Sequence, residues 1–329
     1  MSPRLSLALE GGALRLPDEG VIAVFDPRGL VGLEALPRDR VLVVEPFFPD
    51  NRRWQEQGFQ AVPHVAPGTR LAAALVVLPR SKAQARARLA EAAALTDGPV
   101  IVDGLKTHGV DSLMKDLRAR ADLSPPVAKA HGKLFWFRGA GVDLSDWAAR
   151  DTRLDGLVTR PGVFSADAAD PGSRLLAQAL PRRPGARIAD LGAGWGYLAA
   201  AVLTRDGVEA VHLVEADATA LDCARAAIDD PRARFHWADA TDWTPPAPLD
   251  GVVMNPPFHE GRAADAGLGR AFIAAAARIL APQGRLWMVA NRHLPYEAAL
   301  RDAFRDVTEL PGDGRFKLFE AARPTRPRR

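Results

Sequence analysis

The chain has 329 residues, a length that corresponds to about two domains, and 47% hydrophobic with 25% charged residues is the balance of a globular protein. A net charge of +3 permits a nucleic-acid partner without requiring one, and the single cysteine, Cys223, excludes an intrachain disulfide and any cysteine-built zinc or iron–sulfur centre. No apolar run approaches the roughly 18 residues of a membrane span, and the N-terminus shows no basic region followed by an apolar stretch. A cytoplasmic location is therefore expected.

In chain order, the first half offers apolar strand candidates at 21–26, 41–45, 75–78, 100–103 and 133–137, with a helical stretch over 112–120. Arg80, Lys82, Arg86 and Arg88 place several cations at helical spacing, suited to phosphate contacts or to a solvated face. A charged, weakly apolar stretch near 143–153 marks the expected boundary, which divides the chain into 1–150 and 151–329. The second half alternates more clearly: strands over 187–191, 210–215, 234–237, 251–254 and 285–290, and helices over 196–204, 218–228 and 269–280. Such alternation predicts an α/β fold with a doubly wound, mostly parallel sheet. Two last strands, 307–310 and 316–321, joined by Pro311-Gly312-Asp313-Gly314, add a hairpin and with it an antiparallel edge strand. The first half repeats the order of the second, which predicts a duplicated domain, although any two α/β domains share this order at coarse resolution. In that match Pro79 falls at the place of Asn255, and only Gly29 remains of a Gly-rich loop.

That loop is Asp190-Leu191-Gly192-Ala193-Gly194-Trp195-Gly196, between a strand and a helix. Glycines let backbone approach a ligand, and the helix start presents free N–H groups. The spacing is G-x-G-x-G, not the dinucleotide G-x-G-x-x-G, and an acid precedes it by two residues. A pyrophosphate favours bare N–H groups, whereas the Asp190 carboxylate suits a cationic, amine-bearing ligand such as the methionine part of S-adenosylmethionine. Glu215, at the next strand end, can bind both ribose hydroxyls. Asp239, at the third, can accept from an adenine amino group. Alone, each acid reads as a solvated strand end; three in succession beside Gly192, Gly194 and Gly196 make a cofactor site.

The fourth strand runs into Asn255-Pro256-Pro257-Phe258-His259-Glu260-Gly261. Ligands bind beyond the carboxyl ends of strands where sheet order reverses, which sets this motif opposite the Gly loop. An exocyclic amine on a base is a weak nucleophile because its lone pair is delocalised. The Asn255 side-chain oxygen and the Pro256 carbonyl can hold its hydrogens and stabilise the positive charge that develops on nitrogen. Proline fixes φ and hence the carbonyl direction. Phe258 can stack on the base. The competing reading is a strand ending in a Pro-Pro turn with Phe258 in the core.

With these residues in place, the second half resembles the class I methyltransferases that modify exocyclic amines, and more narrowly the ribosomal RNA guanine-N2 methyltransferases of the small-subunit (RsmC) type. The resemblance spans roughly 157–322 and also rests on Thr159-Arg160-Pro161-Gly162-Val163-Phe164-Ser165, Val289-Ala290-Asn291, Leu294-Pro295-Tyr296 and Gly314-Arg315-Phe316-Lys317. It implies two tandem Rossmann-like methyltransferase domains, the first degenerate and serving RNA docking or scaffolding. It further implies S-adenosylmethionine as cofactor, Phe164 lying over it, and a partner that is ribosomal RNA or the small ribosomal subunit, with no membrane and a monomer favoured. Large-subunit guanine-N2 or adenine-N6 methylation stays open, because pocket shape selects the base. The glycine spacing disfavours a nicotinamide dehydrogenase, and Asn255 to Phe258 disfavour a catalytically dead RNA-binding module for the second half.

Overall fold

The computed structural model describes residues 3–27, 33–257 and 267–325, and the backbone alone at 259, 260, 263, 264 and 266. Phe258, Gly261, Arg28, Gly29, Arg326, Arg328 and Arg329 lie outside the described residues. The chain divides into two compact units, Met1–Arg150 and Asp151–Arg329.

The first unit holds strands β1 (Ile22–Phe25), β2 (Val41–Val44), β3 (Gln60–Val62), β4 (Ala73–Val77), β5 (Pro99–Leu105), β6 (Val127–Lys129) and β7 (Gly132–Arg138). Helices α1 (Pro3–Glu10), α2 (Phe48–Glu56), α3 (Lys82–Leu95) and α4 (Val110–Arg118) accompany them. The sheet order is β3-β2-β1-β4-β5-β7-β6. The central strands are buried along their whole length because both faces are covered: Ala23 and Phe25 pack into one core, Ile22 and Val24 into another. That is why they read as continuous apolar runs.

The second unit opens with a hairpin, β8 (Thr152–Leu154) and β9 (Leu157–Thr159), and α5 (Pro171–Ala179). Then follow β10 (Arg187–Leu191), α6 (Tyr197–Leu203), β11 (Ala210–Glu215), α7 (Ala218–Ala227), β12 (Ala233–Trp237) and β13 (Leu249–Met254). After a short pair, β14 (His259–Glu260) and β15 (Ala263–Ala264), come α8 (Ala266–Ile279), β16 (Leu280–Asn291), α9 (Glu297–Ala303), β17 (Phe304–Leu310) and β18 (Phe316–Pro324). The main sheet runs β12-β11-β10-β13-β16-β18-β17. One feature of the expected sheet changes: β18, the antiparallel strand, inserts between β16 and β17 instead of forming the edge. Cys223 is buried in α7, and burial pushes its thiol up to about 11.

The two units share one strand order, which places the first-half counterparts by register. Phe25 pairs with Val44 and Val76, as Leu191 pairs with Val214 and Met254. Val24 therefore stands at the place of Asp190, Asp26 at Gly192, and Glu45 at Glu215. The place of Asn255 belongs to Val77; Pro79, expected there, falls two residues later, at Pro257. The acceptor amide is absent either way.

The basic helix also differs from expectation. Arg88 points inward, pairs with Asp26 at 3.0 Å and with Glu91 at 2.9 Å, and is largely covered, its side chain 11% exposed. Burial disfavours its charge, but Asp26 and Glu91 outweigh that and hold the guanidinium above its ordinary range. Lys82 and Arg86 share Asp116, at 2.9 and 2.8 Å. Arg80 is exposed. Hydrophobic demand on one face of α3, supplied by Ala85, Leu89, Ala92 and Ala93, turns Arg88 toward the sheet.

Candidate active site

Strands β10 and β13 are parallel neighbours at the point where sheet order reverses, so Gly192 and Asn255 leave the sheet side by side. Side chains alternate along a strand. Ile188 and Val253 point into the core beneath α5 and α6, whereas Ala189, Leu191, Val252 and Met254 point into the opposite one. Asp190 and Asn255, each two residues beyond a member of the first set, fall on the α5–α6 side. An open cleft lies there, lined by Phe164, Asp190, Gly192, Gly194, Trp195 and Asn255, among others.

Backbone geometry explains the glycines. Gly192, Gly194 and Gly196 all have positive φ, at 71°, 55° and 88°. A Cβ on Gly194 would meet nothing within 4 Å, so that face of the loop is open to a ligand. A Cβ on Gly196 would lie 2.7 Å from Ile228, so this glycine serves the packing of the loop against α7 and its C-terminal end. The loop is tied to the next strand by the amides of Gly192 and Ala193, which donate to the Val214 carbonyl at 2.9 and 3.1 Å.

Asp190 is buried, and its Oδ2 accepts from the Ala199 amide at 2.9 Å. Its Oδ1 is buried with no hydrogen-bond partner among the described residues, on a residue that lines the cavity. Burial pushes the carboxyl up to about 7, the Ala199 amide opposes this, and Glu215 adds to the rise. Glu215 is likewise raised to about 7 by burial, against the amides of Asp217 and Gly194. Those two amides donate to its Oε1 and Oε2 at 2.8 and 2.7 Å, so Glu215 braces the loop from below. Asp239 lies two residues past the end of β12, not at the strand end as expected, and its Oδ1 accepts from the Thr241 amide and hydroxyl. Among the described residues, Gly196, Glu215 and Asp239 do not line the cavity.

Asn255 is held by α5. Its Nδ2 donates to Asp170 Oδ2 at 2.8 Å and to Ser173 Oγ at 2.9 Å. Pro256 is buried beside it. Phe164 sits on a loop anchored at three points: Thr159 Oγ1 donates to the Ala166 carbonyl, the Val163 amide to that of Arg160, and Trp195 Nε1 to that of Phe164 itself. The ring is nonetheless 60% exposed, at the cavity rim. Sequence reasoning missed Asp170, Ser173, Trp195 and Tyr197. Asp170 was legible as a helix cap, an acid before Pro171 whose side chain accepts from the Ser173 amide, but its partner in the site was not.

The residues fit S-adenosylmethionine: an unpaired buried carboxylate oxygen suits an ammonium, and the open Gly194 face admits a ligand against backbone. Comparison with known proteins agrees. The methyltransferase small domain family matches residues 156–320. Ribosomal RNA small subunit methyltransferase C of Chromohalobacter salexigens is 36% identical over 249 residues, 72% of this chain and 74% of that one. Ribosomal RNA large subunit methyltransferase G of Shewanella amazonensis is 31% identical over 246 residues, 70% of this chain and 63% of that one. The structure of the T. thermophilus 16S rRNA N2 G1207 methyltransferase (RsmC), in complex with AdoMet and guanosine, matches with a TM-score of 0.78 and 25% identity, covering 98% of this chain and 92% of that one. Shared length, shared double-sheet architecture and the match of the second unit lead to one conclusion: this chain belongs to the ribosomal RNA small subunit methyltransferase C family of S-adenosylmethionine-dependent methyltransferases.

Proposed function

We propose that this protein transfers a methyl group from S-adenosylmethionine to the exocyclic N2 amine of a guanine in 16S ribosomal RNA. The observation that carries this reading is the Asn255 amide at the cavity rim, with both its hydrogens engaged by Asp170 and Ser173 and its oxygen left for a substrate N–H. S-adenosylmethionine, when bound, supplies an activated methyl group. Asn255 Oδ1 and the Pro256 carbonyl accept the hydrogens of the amine, turn its lone pair out of conjugation, and stabilise the positive charge on nitrogen. The N–C bond would form as the methyl–sulfur bond breaks and the neutral thioether leaves, and the proton would then pass from nitrogen to solvent, so no strong base is required. Asp190 answers the ammonium of the cofactor, Gly192 and Gly194 admit it against backbone, and Phe164 covers it from the rim. Glu215 and Asp239 are assigned to its ribose and adenine, and Gly196 to loop packing. Phe258 is assigned to stacking on the base.

The first unit, Met1–Arg150, acts as scaffold and RNA-docking domain without chemistry, a reading supported by Val24 and Val77 at the places of Asp190 and Asn255. The similarity to large-subunit methyltransferase G favours one second reading, guanine-N2 methylation of large-subunit RNA. Mass mapping of nucleosides from both ribosomal RNAs, in cells with and without this protein, separates the two. Loss of one N2-methylguanosine from 16S RNA is expected. Loss from the large-subunit RNA alone would establish the second reading, and unchanged RNA would refute both.

A further inference from the structure

We infer that Asp170, together with Ser173, is a positioning residue that fixes which end of the Asn255 amide meets the substrate. The inference rests on the methyl-transfer reading above and deepens it.

A side-chain amide has two ends of nearly equal size, one with two donors and one with two lone pairs. Rotation by half a turn about its last bond exchanges them. Only the oxygen end can accept a hydrogen from an exocyclic amine; the nitrogen end would set donor against donor. Something must therefore bias the rotation, and among the described residues the side-chain partners of Asn255 are Asp170 and Ser173. Asp170 supplies the bias. An ionised carboxylate accepts and cannot donate, so the end of Asn255 that faces Asp170 Oδ2 at 2.8 Å has to be Nδ2. The second Nδ2 hydrogen goes to Ser173 Oγ at 2.9 Å. Both donors are spent within the protein, and no described residue donates to Asn255 Oδ1.

Asp170 is itself fixed. It caps α5, with its Oδ2 also accepting from the Ser173 amide at 2.8 Å, and Pro171 sets the first turn of that helix. One carboxylate oxygen thus joins the helix cap to the acceptor amide, 85 residues apart in sequence. The negative charge also draws the Nδ2 hydrogens and leaves more electron density on Oδ1, which makes it a better acceptor for an amine that turns cationic.

Asp170→Asn provides the test because asparagine caps helices as well as aspartate does. It keeps the cap but can donate as well as accept, so the bias on Asn255 is lost. A charge-assisted hydrogen bond is about twice as strong as a neutral one, which sets the expected fall in single-turnover methyl transfer at about fivefold to tenfold. The full-length chain, 16S RNA in the small subunit and radiolabelled S-adenosylmethionine are compared for wild type, Asp170→Asn, Asn255→Ala and the double variant. Melting temperature and calorimetric cofactor affinity are measured on each. The inference predicts that Asp170→Asn slows transfer with melting temperature and cofactor affinity near wild type. It also predicts no further slowing when that change is added to Asn255→Ala, because Asp170 acts through Asn255. A wild-type rate for Asp170→Asn, or a loss that adds to that of Asn255→Ala, would overturn it and leave the methyl-transfer reading intact. A wild-type rate for Asn255→Ala would instead remove that reading and this inference with it.

Discussion

Acidification should weaken cofactor binding through a single carboxylate. Asp190 is buried, its Oδ1 has no partner among the described residues, and its carboxyl is raised to about 7. Only the ionised form attracts an ammonium. At about pH 8 roughly nine-tenths of the Asp190 carboxyls are ionised and at about pH 6 roughly a tenth, so cofactor affinity falls about tenfold across that range. Binding near neutrality should release a proton from Asp190, because an adjacent cation favours the charged form. Calorimetry in two buffers of different ionisation enthalpy reads that proton directly. The ligand-free fold runs the other way. Its Asp190 value lies above that of an unfolded aspartate, so the folded state binds the proton more tightly. Stability is therefore lost as pH rises from about 4 to about 7. The thermal shift given by S-adenosylmethionine should accordingly be larger at about pH 8 than at about pH 6. Glu215 is raised to a similar value, so a control must isolate Asp190. Asp190→Asn can still accept from the Ala199 amide but carries no charge, and should weaken binding at about pH 8 by roughly 10- to 150-fold, the worth of one charged hydrogen bond. It should also flatten the pH dependence. A wild-type affinity that stays constant from about pH 6 to about pH 8, or an Asp190→Asn variant that keeps the full dependence, would refute the assignment of the ammonium to Asp190.

Asn255→Ala should lower single-turnover methyl transfer by about 10²–10³ while cofactor affinity, read by calorimetry, changes by no more than a few fold. The glycine loop should separate into two kinds of position. Gly196→Ala combines a φ of 88° with a Cβ 2.7 Å from the movable Ile228 Cδ1 and 3.2 Å from Ala224 Cβ, and should cost about 1–2 kcal/mol for the conformation plus a smaller amount for repacking, in chemical denaturation. Gly194→Ala meets nothing within 4 Å, so it should cost only the conformational part while weakening cofactor binding. In the first unit, Arg88→Met strands Asp26 as a buried charge and should destabilise by about 3–5 kcal/mol. Adding Asp26→Gly, which suits the φ of 50° at that position, should recover most of the loss in the same denaturation measurement.

The strands that build the site were legible because burial on both faces turns them into unbroken apolar runs, and the loop because positive φ at 192, 194 and 196 demands glycine. What was not legible depended on contacts between distant segments. Asp170 reads locally as a cap, and nothing in its neighbourhood points 85 residues ahead to Asn255. Trp195 reads as a core aromatic and is buried, yet its indole N–H holds the Phe164 carbonyl and so sets the cavity rim. A hairpin signal says that β17 and β18 pair; it does not say which of them also pairs with β16, and the register puts β18 there. Glu215 was found for its place at a strand end, but its two oxygens already carry loop amides, a bracing role that follows from the turn geometry of Gly194 and Asp217. The basic stripe from Arg80 to Arg88 loses one member because charge alone does not fix the side of a helix: alanines at 85, 92 and 93 with Leu89 turn Arg88 inward, while Arg80 and Lys82 stay exposed.

The two units show what a methyltransferase site costs its fold. Both keep one strand order, so the sheet does not depend on the site residues. In the second unit, Asp190 leaves a buried carboxylate oxygen unpaired, a burden of about 1–3 kcal/mol until a ligand answers it. In the first unit the same place is Val24, fully buried among apolar neighbours, and the place of Asn255 is Val77. Where Gly192 presents bare backbone in one unit, Asp26 receives Arg88 in the other, a charge supplied from within. Each exchange replaces a group that waits for a ligand by one already satisfied inside the protein. At the place of Gly192 the first unit thus holds a packed ion pair, Asp26 with Arg88. In the second, Asp190 Oδ1 and the Asn255 oxygen have no partner among the described residues, the state that the proposed chemistry calls for.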